Sequence, residues 1–163
     1  STLRVDNLRG QTADGTNRYV VQVVNGSSSG ARTQSTSTSY ADISGMSVTI
    51  TPLYTTSKVL IVANFPDTFV TNTDAANSLY LKIVRNINGG SFSDVCQVAD
   101  RQGITTPTNQ EFMCSMSYSF LDSPSTTGTC IYKCQLKGYN TNQVNVGQQS
   151  AGLVNITAME IAQ

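Results

Sequence analysis

The sequence contains no histidine and no tryptophan. Without histidine the chain lacks the commonest general base and the commonest metal ligand. Ser–His–Asp and Cys–His catalytic groupings are therefore excluded. Without tryptophan it lacks the strongest platform for stacking a sugar ring, so a glycan site would have to use tyrosines such as Tyr40, Tyr54 and Tyr139. Charge is scarce as well. Charged residues make up 12% of the 163, about half of the roughly 25% usual in globular proteins. The ten basic and ten acidic side chains cancel. A basic footprint for nucleic acid is missing, and so is the cationic helix face of a membrane-surface protein. No apolar run reaches the roughly 18 residues of a membrane-spanning helix, so no insertion is expected.

What the chain has in abundance is neutral polarity. Serine and threonine number 40, and asparagine and glutamine add 24. A neutral chain gains little solubility from self-repulsion. Two readings follow: a subunit held inside an assembly, or a polar β domain of extracellular type.

The first 17 residues, STLRVDNLRGQTADGTN, hold only three large apolar side chains, Leu3, Val5 and Leu8. They predict an extended arm that frays alone and docks on a neighbouring subunit. From Arg18 to Gln163 a single domain is expected. YVVQVV at 19–24, SVTIT at 47–51, LYLKIV at 79–84, VCQV at 95–98, QVNVG at 143–147 and LVNITAMEI at 153–161 all read as short strands. KVLIVANF at 58–65 is almost continuously apolar, the pattern of a central strand covered on both faces. A short helix is expected near 74–78. Nine or ten strands with turn residues between them predict an all-β protein, a jelly-roll-like antiparallel β-sandwich.

The stretch FMCSMSYSFLDSPSTTGTCIYKCQL at 112–136 carries three of the four cysteines. Phe112, Cys114, Met116, Tyr118 and Phe120 before the Ser/Pro/Thr/Gly break, and Cys130, Tyr132, Cys134 and Leu136 after it, all fall on even numbers. Opposed residues share a face, so a hairpin here pairs residues summing to an even number. The compact choice sets Phe120 opposite Cys130, Tyr118 opposite Tyr132, Met116 opposite Cys134 and Cys114 opposite Leu136. Cys130 and Cys134 on one strand would sit about 13 Å apart, too far for a disulfide. Inert core thiols are the leading expectation, with one disulfide or a metal site as alternatives. Asp94, Asp100, Glu111, Asp122 and Glu160 are scattered. Two carboxylates from separate strands could in principle make a glycosidase pair, but nothing in their spacing supports one. No enzyme, metal or cofactor is expected. Recognition is expected in loops on a rigid scaffold: Ser27 to Arg32, Asn88 and Ser91 in the 86–93 segment, and Thr106 and Asn109 in the 105–110 segment.

TLRVDN, YVVQVV, SVTITPLYTTSKVLIVANF, FLDSPSTTGTCIYKCQLKG and NITAMEIAQ together resemble short structural proteins of marine and cyanobacterial bacteriophages, commonly labelled tail-fibre-like. The resemblance spans nearly the whole chain. An apolar residue is usual there at the position of Cys134, in keeping with a core thiol. The resemblance implies a jelly-roll-like domain, trimeric, displayed on the virion surface and made in the host bacterial cytoplasm, where disulfides are disfavoured. It implies that Leu3, Val5 and Leu8 attach it to other virion proteins, as a tail fibre or receptor-binding tip or as a head-decorating knob. A host surface glycan is a further expected partner, and a carbohydrate-binding module is the alternative function.

Overall fold

The computed structural model describes residues 18–29, 33–72, 76–104, 110–147 and 153–163. The arm, with Leu3, Val5 and Leu8, lies outside the described residues. Ten strands form: β1 (Tyr19–Ser29), β2 (Thr33–Ser35), β3 (Ala41–Ile50), β4 (Lys58–Asn72), β5 (Asn77–Ile87), β6 (Ser93–Ile104), β7 (Gln110–Asp122), β8 (Cys130–Gly138), β9 (Val144–Val146) and β10 (Leu153–Ala162). No helix occurs among the described residues. Most strands run longer than their apolar cores suggest. β4 continues past Pro66 through a register shift between Phe65 and Thr68, with Asp67 at φ 51°. A bulge tolerates a proline that a regular central strand would not.

β1, β10, β4, β9 and β2 form one sheet, in which β7 also pairs with β4; β3, β8, β5 and β6 form the other. With the three-residue strands β2 and β9 set aside, the pairs nest. β1 pairs with β10, β3 with β8, β4 with β7 and β5 with β6, all antiparallel. A nested ribbon rolled into two four-stranded sheets is a jelly roll. Between the sheets Val59, Ile61, Ala63 and Phe65 of β4 and Ile156 of β10 meet Leu79, Leu81 and Ile83 of β5 and Tyr132 and Leu136 of β8, all fully buried. Alternation builds this core: CIYKCQLKG in β8 is buried at every second residue.

Two expectations are corrected. Asn77 and Ser78 begin β5 rather than a helix. Strands β7 and β8 do not form a hairpin. Phe120 lies opposite Ile61 of β4, while Cys130 lies opposite Ile50 of β3 and Ile87 of β5. The Ser123–Thr129 connection passes from one sheet to the other. The parity argument fixed which residues face inward but could not choose the partner strand. Phe112, Met116 and Tyr118 do turn toward the core, from the sheet opposite Cys130 and Cys134.

The two sheets are also joined by polar groups. Asp122, at the end of β7, accepts hydrogen bonds from the Arg85 guanidinium on β5 and from Tyr132 Oη on β8, the latter at 2.7 Å. Burial and then the Asp122 bond push the Tyr132 hydroxyl pKa far up, so it stays a donor. At the corner between β1 and β3, a Cβ on Gly26 would collide with the Ser47 carbonyl oxygen. Glycine is what lets the backbones approach there.

All four cysteines carry free thiols. Burial pushes the Cys134 thiol up strongly, and burial with the nearby Asp122 charge raises Cys130. Cys96 Sγ lies 3.1 Å from Tyr118 Oη, and Cys114 Sγ lies 3.0 Å from Thr68 Oγ1. Thiolate is the reactive form, so Cys130 and Cys134 should react with a thiol reagent only after unfolding. Half-buried Cys96 and Cys114 should react slowly in the native protein. Four fast thiols in a native titration would contradict this packing.

Candidate interaction surface

The described residues contain no cluster of three or more His, Cys, Asp or Glu side chains able to hold a metal. Nor do the carboxylates come together as a catalytic pair. Asp94 binds Lys82 at 2.7 Å; Asp122 and Glu160 flank Val59 on the inner side of the first sheet, but Asp122 is committed to Arg85 and Tyr132 and Glu160 to Gln22 and Ser57. The distinctive feature is the outer face of the sheet formed by β1, β10, β4 and β7.

Its composition follows from register. Val23 lies opposite Met159, Met159 opposite Leu60 and Leu60 opposite Leu121, so one apolar row crosses four strands. The row toward the sheet's end holds Val20, Ile161 and Lys58, with Lys58 Nζ donating to Ser123 Oγ at 2.6 Å. On the other side comes Asn25, Thr157, Val62 and Ser119, then Ser27, Asn155, Asn64 and Ser117. These polar side chains bond to one another. Ser117 Oγ donates to Asn64 Oδ1 at 2.6 Å, Asn64 Nδ2 to Asn155 Oδ1 at 2.8 Å, and Thr157 Oγ1 to Asn25 Oδ1 at 3.0 Å. Lys58 is the one ionisable side chain in the four rows. Val23 and Leu121 are 58% and 50% exposed.

The outer face of the second sheet is of opposite character. Lys82 pairs with Asp94, and Lys133 with Asp42 at 2.9 Å. Lys137 lies over the rings of Tyr40 and Tyr80, and Lys133 over Phe92. Charge is thus concentrated on one broad face, while the four rows of the other carry only Lys58, with exposed Glu111 farther along β7.

At the apolar end, exposed Leu53 and Tyr54 are held by Glu160, which is fully buried. Its carboxylate accepts from Gln22 Nε2 at 2.6 Å, Ser57 Oγ at 2.7 Å, and the backbone N–H groups of Leu53 and Tyr54 at 2.8 and 3.4 Å. Burial alone would raise its pKa, but these donors outweigh it and hold the carboxyl below its ordinary value.

Of the expected recognition residues, Ser27, Asn88 and Ser91 fall among the described residues. Ser27 stands within β1, not in a loop, opposite Asn155. Asn88 does sit in the β5–β6 turn, where it and Gly89 take φ of 51° and 75°. Its side chain is committed to the fold: Asn88 Oδ1 accepts from Thr129 N at 2.9 Å. Ser91 is exposed beyond that turn. Arg32, Thr106 and Asn109 lie outside the described residues. Of the tyrosines considered for sugar stacking, Tyr40 has Lys82 over its ring at 4.2 Å and Tyr139 has Arg101 at 4.5 Å. A cation there occupies the surface a sugar would use. The apolar row was missed because it depends on β7 lying beside β4. Its one visible signal was the unbroken run KVLIVANF.

No protein-family model and no curated protein matches the chain. Among solved structures it is similar to Eiger TNF from S. frugiperda, at 9% identity and TM-score 0.47, covering 86% of this chain and 92% of that one. It is also similar to infectious bursal disease virus, Gt strain, at 13% identity and TM-score 0.45, covering 98% of this chain but 36% of that one. The VP2 protein of that virus, as a D431N mutant forming T=1 particles, gives 13% identity and TM-score 0.39 over 86% of this chain and 39% of that one. All three TM-scores lie below 0.5, and the jelly-roll assignment rests on the chain's own strand pairing.

Proposed function

We propose that this chain is a non-enzymatic structural protein of a bacteriophage virion, displayed at the particle surface as an oligomer. The observation that carries this reading is the nearly charge-free outer face of the β1–β10–β4–β7 sheet, with apolar side chains across all four strands. Such a face suits contact with protein rather than solvent or substrate. The virion setting is supported by the resemblance of TLRVDN, FLDSPSTTGTCIYKCQLKG and NITAMEIAQ to tail-fibre-like phage proteins. On this reading residues 1–17 attach the domain to a tail or head, through Leu3, Val5 and Leu8. The charged outer face of the other sheet faces water.

Mass spectrometry of purified heads and tails, separated after particle disruption, tests it. Peptides of this chain are expected in one fraction at stoichiometric level. Their absence from both would defeat the proposal.

A further inference from the structure

On that reading of the chain as an assembly subunit, we infer that a second copy of this chain covers the outer face of the first sheet, centred on Val23, Met159, Leu60 and Leu121. Three observations lead there. The first is β4 itself. Val59, Ile61, Ala63 and Phe65 already fill the core. Its outward residues Leu60 and Val62 are apolar too, and only half-buried. A strand apolar on both faces is a strand covered on both, and the protomer supplies one cover.

The second observation is size. Val20, Val23, Leu60, Leu121, Met159, Ile161 and Val62 are neighbours by register. Together they offer on the order of several hundred Å² of apolar surface, the size of the largest patch on a typical monomer, which is often a functional one. That is a large part of the roughly 800 Å² each partner gives to a stable interface.

The third is chemistry. The face carries one charge in these rows, Lys58, and it stands at the corner, where it donates to Ser123 and can keep its water. Of the flanking polar side chains, Asn25, Asn64, Ser117, Asn155 and Thr157 are bonded among themselves, which lowers the cost of removing their water. A basic partner would find no countercharge in these rows, and an acidic one only Lys58 at the corner. A second copy brings the same neutral face, and two such sheets pack about 10 Å apart with nearly aligned strands.

Sedimentation equilibrium of the full chain tests the inference. The wild type is expected at the mass of two protomers, since each face is covered by the same face of one other copy. V23K/L121K adds charge at two positions already exposed in the protomer. It should weaken association by roughly a hundredfold and leave a folded monomer by circular dichroism. V23S/L121S should weaken it less, and S91K, away from the face, should leave it unchanged. A monomeric wild type, or an oligomer untouched by V23K/L121K, would overturn the inference even if the protein is present in particles. An oligomer dissociated by L3S/V5S/L8S but not by V23K/L121K would assign the contact to the arm and overturn it as well. Dissociation by V23K/L121K in a protein absent from particles would support this interface and defeat only the virion reading.

Discussion

Asp122→Ala should destabilise the protein by about 3 kcal/mol, a fall in Tm of roughly 6–12 °C for a domain of this size. Asp122 is 7% exposed and receives both the Arg85 guanidinium and the Tyr132 hydroxyl. Removing it leaves a mostly buried cation and a buried hydroxyl without their acceptor. The loss exceeds the net worth of the pair, because the stranded charge keeps its desolvation cost. Arg85 Nε already lacks a partner. Arg85→Met with Asp122→Leu should therefore recover most of the stability, since a packed apolar pair replaces a partly satisfied ionic one. Tyr132→Phe alone should cost about 1 kcal/mol. Urea denaturation at one fixed protein concentration measures all three. Wild-type stability in Asp122→Ala would show that the three groups do not join the sheets.

The second large effect belongs to Glu160. Glu160→Ala removes the acceptor for Gln22, Ser57, Leu53 N and Tyr54 N and should cost about 3 kcal/mol. Glu160→Gln keeps the shape but turns an NH2 group toward donors, so it should cost somewhat less, about 2 kcal/mol. The pH dependence has a definite sign. The folded pKa lies below the ordinary 4.5, so the unfolded chain takes up the proton first as pH falls. The contribution is complete above the unfolded value and is lost as pH drops through the folded one. Between about pH 5 and pH 3, stability should fall less steeply in Glu160→Gln than in the wild type. Parallel curves for the two proteins would reject the assignment. Because Glu160 holds the Leu53–Tyr54 loop, Glu160→Ala should also loosen the exposed apolar end.

Much of the fold could be read from the sequence. Alternation in CIYKCQLKG and LVNITAMEI marked strands and their inward residues, and the 86–93 segment, read as a loop, does hold the β5–β6 turn. Which strand lies beside which could not be read. Ser123–Thr129 has the length and composition of a hairpin loop, yet it crosses between sheets. The choice is made by packing between residues far apart, such as Leu60 with Leu121, and no local signal encodes it. The interaction surface was hidden for the same reason. Leu121 and Val23 look like isolated surface residues until register sets them in one row. Loop recognition fared differently: Ser27 proved to be within a strand, since GSSS reads as a break while its backbone continues the ladder with β10.

The nesting of the strand pairs has a consequence in time. The innermost pair, β5 with β6, joins residues close in sequence, and the outermost joins Val23 to Met159. Pairing close in sequence closes fast and distant pairing slowly. On the ribosome the order is enforced: the apolar row is incomplete until Met159 has emerged, by which point the inner pairs have been synthesised. On the proposed interface, a growing chain therefore does not present the finished face until its outermost strand pair has formed.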